Sequence, residues 1–175
     1  MLLTPHPQST HSAPRGIKFP ISDLQRVIDA WPALPTAVRR GLAIWETALG
    51  PDHPDVAASL NNLAALYDIQ GHYAQAEPLY KRSLAIKEKA LGPDHPSVAT
   101  SLNNLAAIYD NQGHYAQAEP LYKRSLAIVE KALGPDHPDV AQSLNNIPGL
   151  YRATSRDDEA EPLEQRAARI EAIER

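Results

Sequence analysis

The chain has no cysteine, one methionine and one phenylalanine among its 175 residues. Without a thiol there is no disulfide, no thiolate metal site and no cysteine nucleophile; compartment is left open, because a fold need not be stapled. Basic residues are not in excess. Seventeen Lys and Arg face 21 Asp and Glu, a formal net charge of -4, which argues against a nucleic-acid footprint, since that needs a clustered basic surface. No apolar run approaches the roughly 20 residues that span a bilayer, so no membrane partner is expected. The opening MLLTPHPQSTHSAPRG lacks the basic and apolar regions of a secretory signal, and the expected location is cytoplasmic. Also missing are a glycine-rich phosphate loop, GxSxG and HExxH. No enzyme activity and no cofactor are expected.

What the chain does have is repetition. Residues 49–90 and 91–132 are nearly the same text, and a third copy begins at Leu133. The first two differ at five positions: Asp55/Ser97, Ala58/Thr100, Leu66/Ile108, Ile69/Asn111 and Lys87/Val129. A fixed period of 42 residues marks a solenoid, whose units bury their apolar faces only against one another.

Each copy has the grammar of two helices. Gly50 suits a left-handed helix end and Pro51 enforces the stop, while Pro54 and Asp55 suit the first turn of the next helix. Helix A then runs to about Ile69, with Val56, Leu60, Leu63, Ala64 and Tyr67 forming one apolar stripe. Gly71 breaks the chain. Helix B follows from about Tyr73 to Leu91, carrying Ala76, Tyr80 and Leu84. Ala64 and Ala76 are expected to face each other at close approach, with Tyr67, Tyr73 and Tyr80 filling wider gaps. Strand-type alternation is absent, so the fold class is all-α, an α-α superhelix of antiparallel hairpins.

The ends differ. Residues 1–20, rich in Pro, Ser, Thr and His, read as a disordered tail. Residues 21–48 read as an incomplete leading hairpin: a short helix Ser22–Ala30 with Leu24, Val27 and Ile28 on one face, the WPALP break, then a B helix over Thr36–Leu49. Repeats follow at 49–90 and 91–132, and 133–175 reads as a divergent cap. There Ile147-Pro148-Gly149 predicts a kink or fray in helix A. Glu164 and Ala168, standing where Tyr122 and Leu126 were, predict a polar outer face.

The spacing Leu60, Leu63-Ala64, Tyr67, Gly71, Tyr73, Ala76, Tyr80, Leu84 resembles the tetratricopeptide repeat. The phrases SLNNLAALY, AEPLYKRSLAI and ALGPDHP resemble the long repeats of kinesin light chain and their bacterial relatives, over about residues 36–175. The resemblance implies a right-handed superhelix whose A helices line a groove for a protein or peptide. Carried over position by position, the groove face holds Ala58, Asn61, Ala65, Asp68 and Ile69 in the first full repeat. In the second it holds Thr100, Asn103, Ala107, Asp110 and Asn111, and in the third Gln142, Asn145, Gly149 and Arg152. The family's carboxylate clamp needs Lys where Asn61 and Asn103 stand and Asn where Ala65 and Ala107 stand, so chaperone tails are not the expected ligand.

Two roles stay open for the Asn pairs. Asn61, Asn103 and Asn145 suit a ladder of amides for a peptide backbone, and Asn62, Asn104 and Asn146 suit bonds to the neighbouring loops. The recurring His53, His95 and His137, with His72 and His114, cannot converge on one metal if units are spaced by about two helix diameters, roughly 20 Å; they read as loop and cap residues. The pairs Lys81-Arg82 and Lys123-Arg124, flanked by Glu77, Glu88, Glu119 and Glu130, read as a solvated mixed-charge face. The favoured function is a non-enzymatic interaction module. The alternatives are a self-assembling solenoid, with weak homo-oligomerisation through Leu24, Ile28, Trp31 and Trp45 at the N-terminal edge, or an accessory segment of a larger signalling system.

Overall fold

The computed structural model describes residues 34–173. The expected tail 1–20 and the expected helix Ser22–Ala30 lie outside them. Among the described residues there are eight α-helices and no strand: α1 Leu34–Leu49, α2 Pro54–Ile69, α3 Tyr73–Leu91, α4 Pro96–Asn111, α5 Tyr115–Leu133, α6 Pro138–Asn145, α7 Pro148–Ala153 and α8 Asp157–Ile173. The main contacts follow chain order, and α2 also touches α4. A helices are therefore α2, α4 and the α6–α7 pair; B helices are α1, α3, α5 and α8.

Each helix starts and stops for a local reason. His53, His95 and His137 have extended backbones and cap the A helices. Their Nδ1 atoms accept the N–H of Asp55, Ser97 and Asp139 at 3.2, 3.1 and 3.1 Å, which satisfies one unpaired donor of the first turn. The hairpin turns close with a Schellman pattern. His72 N–H bonds Tyr67 C=O and Gly71 N–H bonds Asp68 C=O, both at 2.8 Å, and the second copy repeats the arrangement. Gly71 and Gly113 take φ of 74° and 73°, where a side chain is strained.

The other recurrent glycines correct the reading of Gly50. Gly92 and Gly134 cap the B helices at φ 90°, ψ 154° and φ 92°, ψ 158°. That is the extended positive-φ region open essentially to glycine alone, not the left-handed helical one. The extended ψ lets the chain leave straight into Pro93 and on to the next cap.

The stripe lands inside. Val56, Leu60, Leu63, Ala64 and Tyr67 are buried, as are Ala76 and Tyr80, while Tyr73 and Leu84 are half-buried against the same core. Two buried hydroxyls were not anticipated. Ser83 and Ser125 donate to the C=O of Ala57 and Ala99 in their own A helices at 2.7 and 2.8 Å, locking the hairpin with a bond free of competition from water. In the third unit helix A is interrupted between Asn145 and Pro148, because Pro148 has no N–H to continue the ladder. Ile147, Leu150 and Tyr151 nonetheless stay buried. On α8, Ala168 is exposed and Glu164 half-exposed.

Candidate functional site

The Asn pairs form bridges between consecutive A helices. Asn104 Nδ2 donates to Asn61 Oδ1 at 3.2 Å, and Asn146 Nδ2 donates to Asn103 Oδ1 at 2.7 Å. On this face the units abut directly and lie closer than two helix diameters; the roughly 20 Å spacing counted both helices of each hairpin. Asn104 and Asn146 are thus inter-repeat residues, each bonded to the first Asn of the preceding unit and not to a loop, while Asn62 is exposed. Each bridge uses one lone pair of the accepting amide and one N–H of the donor. The NH2 of Asn61 and of Asn103 keeps its donors, with no protein acceptor among the described residues.

Around this row lie the other expected groove positions. Ala65 and Ala107 are half-buried, Ala58 and Thr100 exposed, and Ile69, next to Asp68 in the chain, is 66% exposed. Asn111 is exposed. Asp68 and Asp110 are half-buried, and desolvation pushes both carboxyls above the ordinary carboxylate range. Neither makes a side-chain hydrogen bond or ion pair among the described residues. In the third unit the pattern changes. Asn145 is exposed and donates to Glu171 at 3.0 Å, Gln142 and Gly149 are exposed, and Arg152 stands where Asp68 and Asp110 stood. Its guanidinium holds Glu164 in a two-pronged ion pair.

The basic pairs do more than face solvent. Arg82 reaches back one unit to Glu46 at 2.6 Å and to Pro51 C=O at 3.1 Å. Arg124 repeats this on Glu88 and Pro93, and Arg166 on Glu130 and Pro135. Lys81, Lys123 and Arg39 lie over the rings of Tyr109, Tyr151 and Tyr67 at 5.7–5.9 Å. Tyr109 OH donates to Glu77 at 2.9 Å. Glu119 is held by Arg156, Lys123 and Tyr151, and the Arg156 and Lys123 donors bring its carboxyl down to about 2. The signal for these rows was present: an Arg 36 residues after a Glu, in every copy. The mixed-charge reading considered each helix alone and missed it.

No group of three or more His, Cys, Asp or Glu close enough to hold a metal occurs among the described residues, and no described helix is long and apolar enough to cross a membrane. His53, His95 and His137 serve as side-chain helix caps, while His72 and His114 stand at N-cap positions without a side-chain cap bond.

Against known families, the tetratricopeptide repeat model matches residues 36–89, 73–131 and 111–170. The chain belongs to the tetratricopeptide repeat family. Among solved tetratricopeptide structures it is similar to BtubC (BKLC) from P. vanneervenii, with TM-score 0.76 and 26% identity over 86% of this chain and 61% of that one. It is also similar to the nearly identical repeats of a kinesin light chain-like protein from P. anserina, with TM-score 0.72 and 26% identity over 89% and 74% of the two chains. MamA, at 15% identity and TM-score 0.55, shares the fold. Nephrocystin-3 of Xenopus laevis is 52% identical over 46 residues, 26% of this chain and 4% of that protein; the human protein matches likewise over 44 residues, 25% and 3%. The chain thus spans a few per cent of the curated relatives it matches, by about one tetratricopeptide unit.

Proposed function

We propose that the protein is a non-enzymatic interaction module that binds an extended peptide or protein segment along its A-helix face, on Asn61, Ala65, Asp68, Asn103, Ala107, Asp110 and Asn111, with Asn145 and Arg152 at the far end. One observation carries this reading. The row of bridged amides leaves donors of Asn61 and Asn103 without an acceptor, in line with two half-buried carboxylates that have no counter-ion. Uncovered polar capacity of this kind, held rigidly one repeat apart, suits a peptide backbone and its side chains.

The test replaces Asn61 and Asn103 together by Ala in the full chain and compares proteins captured from lysate with those of the wild type. Loss of captured partners with unchanged helicity supports the groove. An unchanged set places binding elsewhere.

A second reading, self-assembly, is favoured by the N-terminal edge. Ile44 is 67% and Trp45 46% exposed on α1. The equivalents of Ile44, Ile86 and Ile128, are each 4% exposed, and Ile128 packs on its own A helix at Val98, Ala99 and Leu102. Light scattering after size exclusion tests it: a strict monomer at every concentration sinks self-assembly. A role as the accessory segment of a larger signalling protein fits the small share of nephrocystin-3 that is matched.

A further inference from the structure

The two full interfaces between consecutive units are near copies, and one of the five differences opens a cleft in the second. At the first interface Lys87, near the end of α3, reaches across to α4. Its Nζ donates to Ser101 Oγ at 2.8 Å and reaches Ser97 C=O at 3.4 Å. Ser101 is completely buried as a result. The lysine itself is half-buried, and desolvation pushes its amine below the usual lysine range.

One period later the lysine is Val129. Nothing reaches Ser143, the counterpart of Ser101; it is partly exposed and donates to Asp139 C=O at 2.8 Å. A cleft of about 360 Å³ lies where the amine would be, lined by Ala99, Asn103, Val129, Leu133, Asp139 and Ser143 among others. That volume is at the lower end of ligand-sized pockets, roughly 300–1,000 Å³. Both acceptors that hold Lys87 recur here, as Ser143 Oγ and Asp139 C=O. A carboxylate is added as well, because Ser97 has become Asp139.

We propose that this cleft receives the side chain of a lysine from a bound peptide. Its methylenes lie on Ala99, Val129 and Leu133, and its ammonium sits on Ser143 Oγ and the Asp139 carboxylate. The chain's own Lys87 is the template: it fills the equivalent space with the same stem and the same acceptors. The added carboxylate gives the second site charge complementarity that the first lacks. A lysine suits the shape because its stem covers apolar surface while its head stays at the wet rim. The proposal rests on the groove reading above and adds a specific residue type at a specific interface.

The experiment titrates Ac-Ala-Lys-Ala-NH2 and its norleucine analogue into the isotope-labelled full chain and follows backbone amide shifts. The lysine peptide is expected to give saturable shifts at Val129, Ser143 and Asn146. The norleucine analogue is expected to bind more weakly by up to roughly fivefold, the size of one partly exposed ion pair. Val129→Lys, which copies the first interface, is expected to abolish those shifts, and Asp139→Asn to weaken them several-fold with the fold intact. Equal shifts from both peptides, or shifts that persist in Val129→Lys, overturn the lysine site. Shifts along Asn61 and Asn103 without any at Ser143 overturn it too, and leave the groove reading standing.

Discussion

At the level of single residues, the third unit records where the repeat has been let go. Ser155 stands one period after Gly113 and keeps its positive φ, at 58°; the same Schellman bonds form, from Ser155 to Arg152 and from Arg156 to Tyr151. A side chain there opposes the turn, so Ser155→Gly is expected to raise stability by about 1 kcal/mol in urea unfolding. Glu119 gives a pH signature. Its folded carboxyl titrates at about 2, against 4.5 ordinarily, because Arg156 and Lys123 hold it ionised. A depressed acid contributes stability that is full above the unfolded value and fades as pH falls from about 4.5 toward 2. Glu119→Gln should flatten that part of the stability profile. Asp68 and Asp110 have the opposite sign. Burial raises both, so the ionised form is disfavoured by folding, and Asp68→Asn is expected to stabilise the protein at neutral pH.

Among the helices, most of the architecture was legible from the 42-residue text, because stripe, caps and breaks are local. Val56, Leu60, Leu63, Ala64 and Tyr67 share one face by spacing alone, and Ile147-Pro148-Gly149 marks the break in the third A helix. What stayed hidden was non-local or conformational. The Arg82–Glu46 and Arg124–Glu88 ties join residues 36 apart in sequence. The Gly92 turn differs from a left-handed cap in ψ, which composition does not encode. Prolines at Pro78, Pro120 and Pro162 sit inside B helices that run on regardless. The bond lost at Pro78 is to Ala74 C=O, and both residues lie on the exposed face, where an unpaired carbonyl costs little. The histidine caps give a direct check. His95→Ala is expected to cost about 1 kcal/mol and His95→Asn to recover most of it, read from thermal unfolding.

For the whole molecule, the described residues form a stack in which each unit touches its neighbours and the inter-unit ties repeat with the period. Arginine to glutamate and proline carbonyl runs along the B helices, tyrosine under a cation along the hairpin turns, and amide to amide along the A helices. Two of these rows are internally satisfied. The amide row is not, and on the proposed reading that asymmetry separates scaffold from binding face. The sequence difference Lys87/Val129 showed no consequence until both interfaces could be compared, since an open cleft is visible only beside its filled copy. The exposed Ile44 and Trp45 belong to this scale too. Trp45→Lys is expected to leave helicity unchanged and to shift any dimer population to monomer in light scattering.

The A-helix face as the binding surface is tested most directly by site-specific photo-crosslinking. A benzoylphenylalanine is placed at Ala65 or Ala107, and for comparison at the exposed Ala85 or Ala127 of the B helices. Groove binding predicts discrete crosslinked partners at Ala65 and Ala107 and none at Ala85 and Ala127. Crosslinks confined to the B-helix positions, or the same at all four, would contradict it.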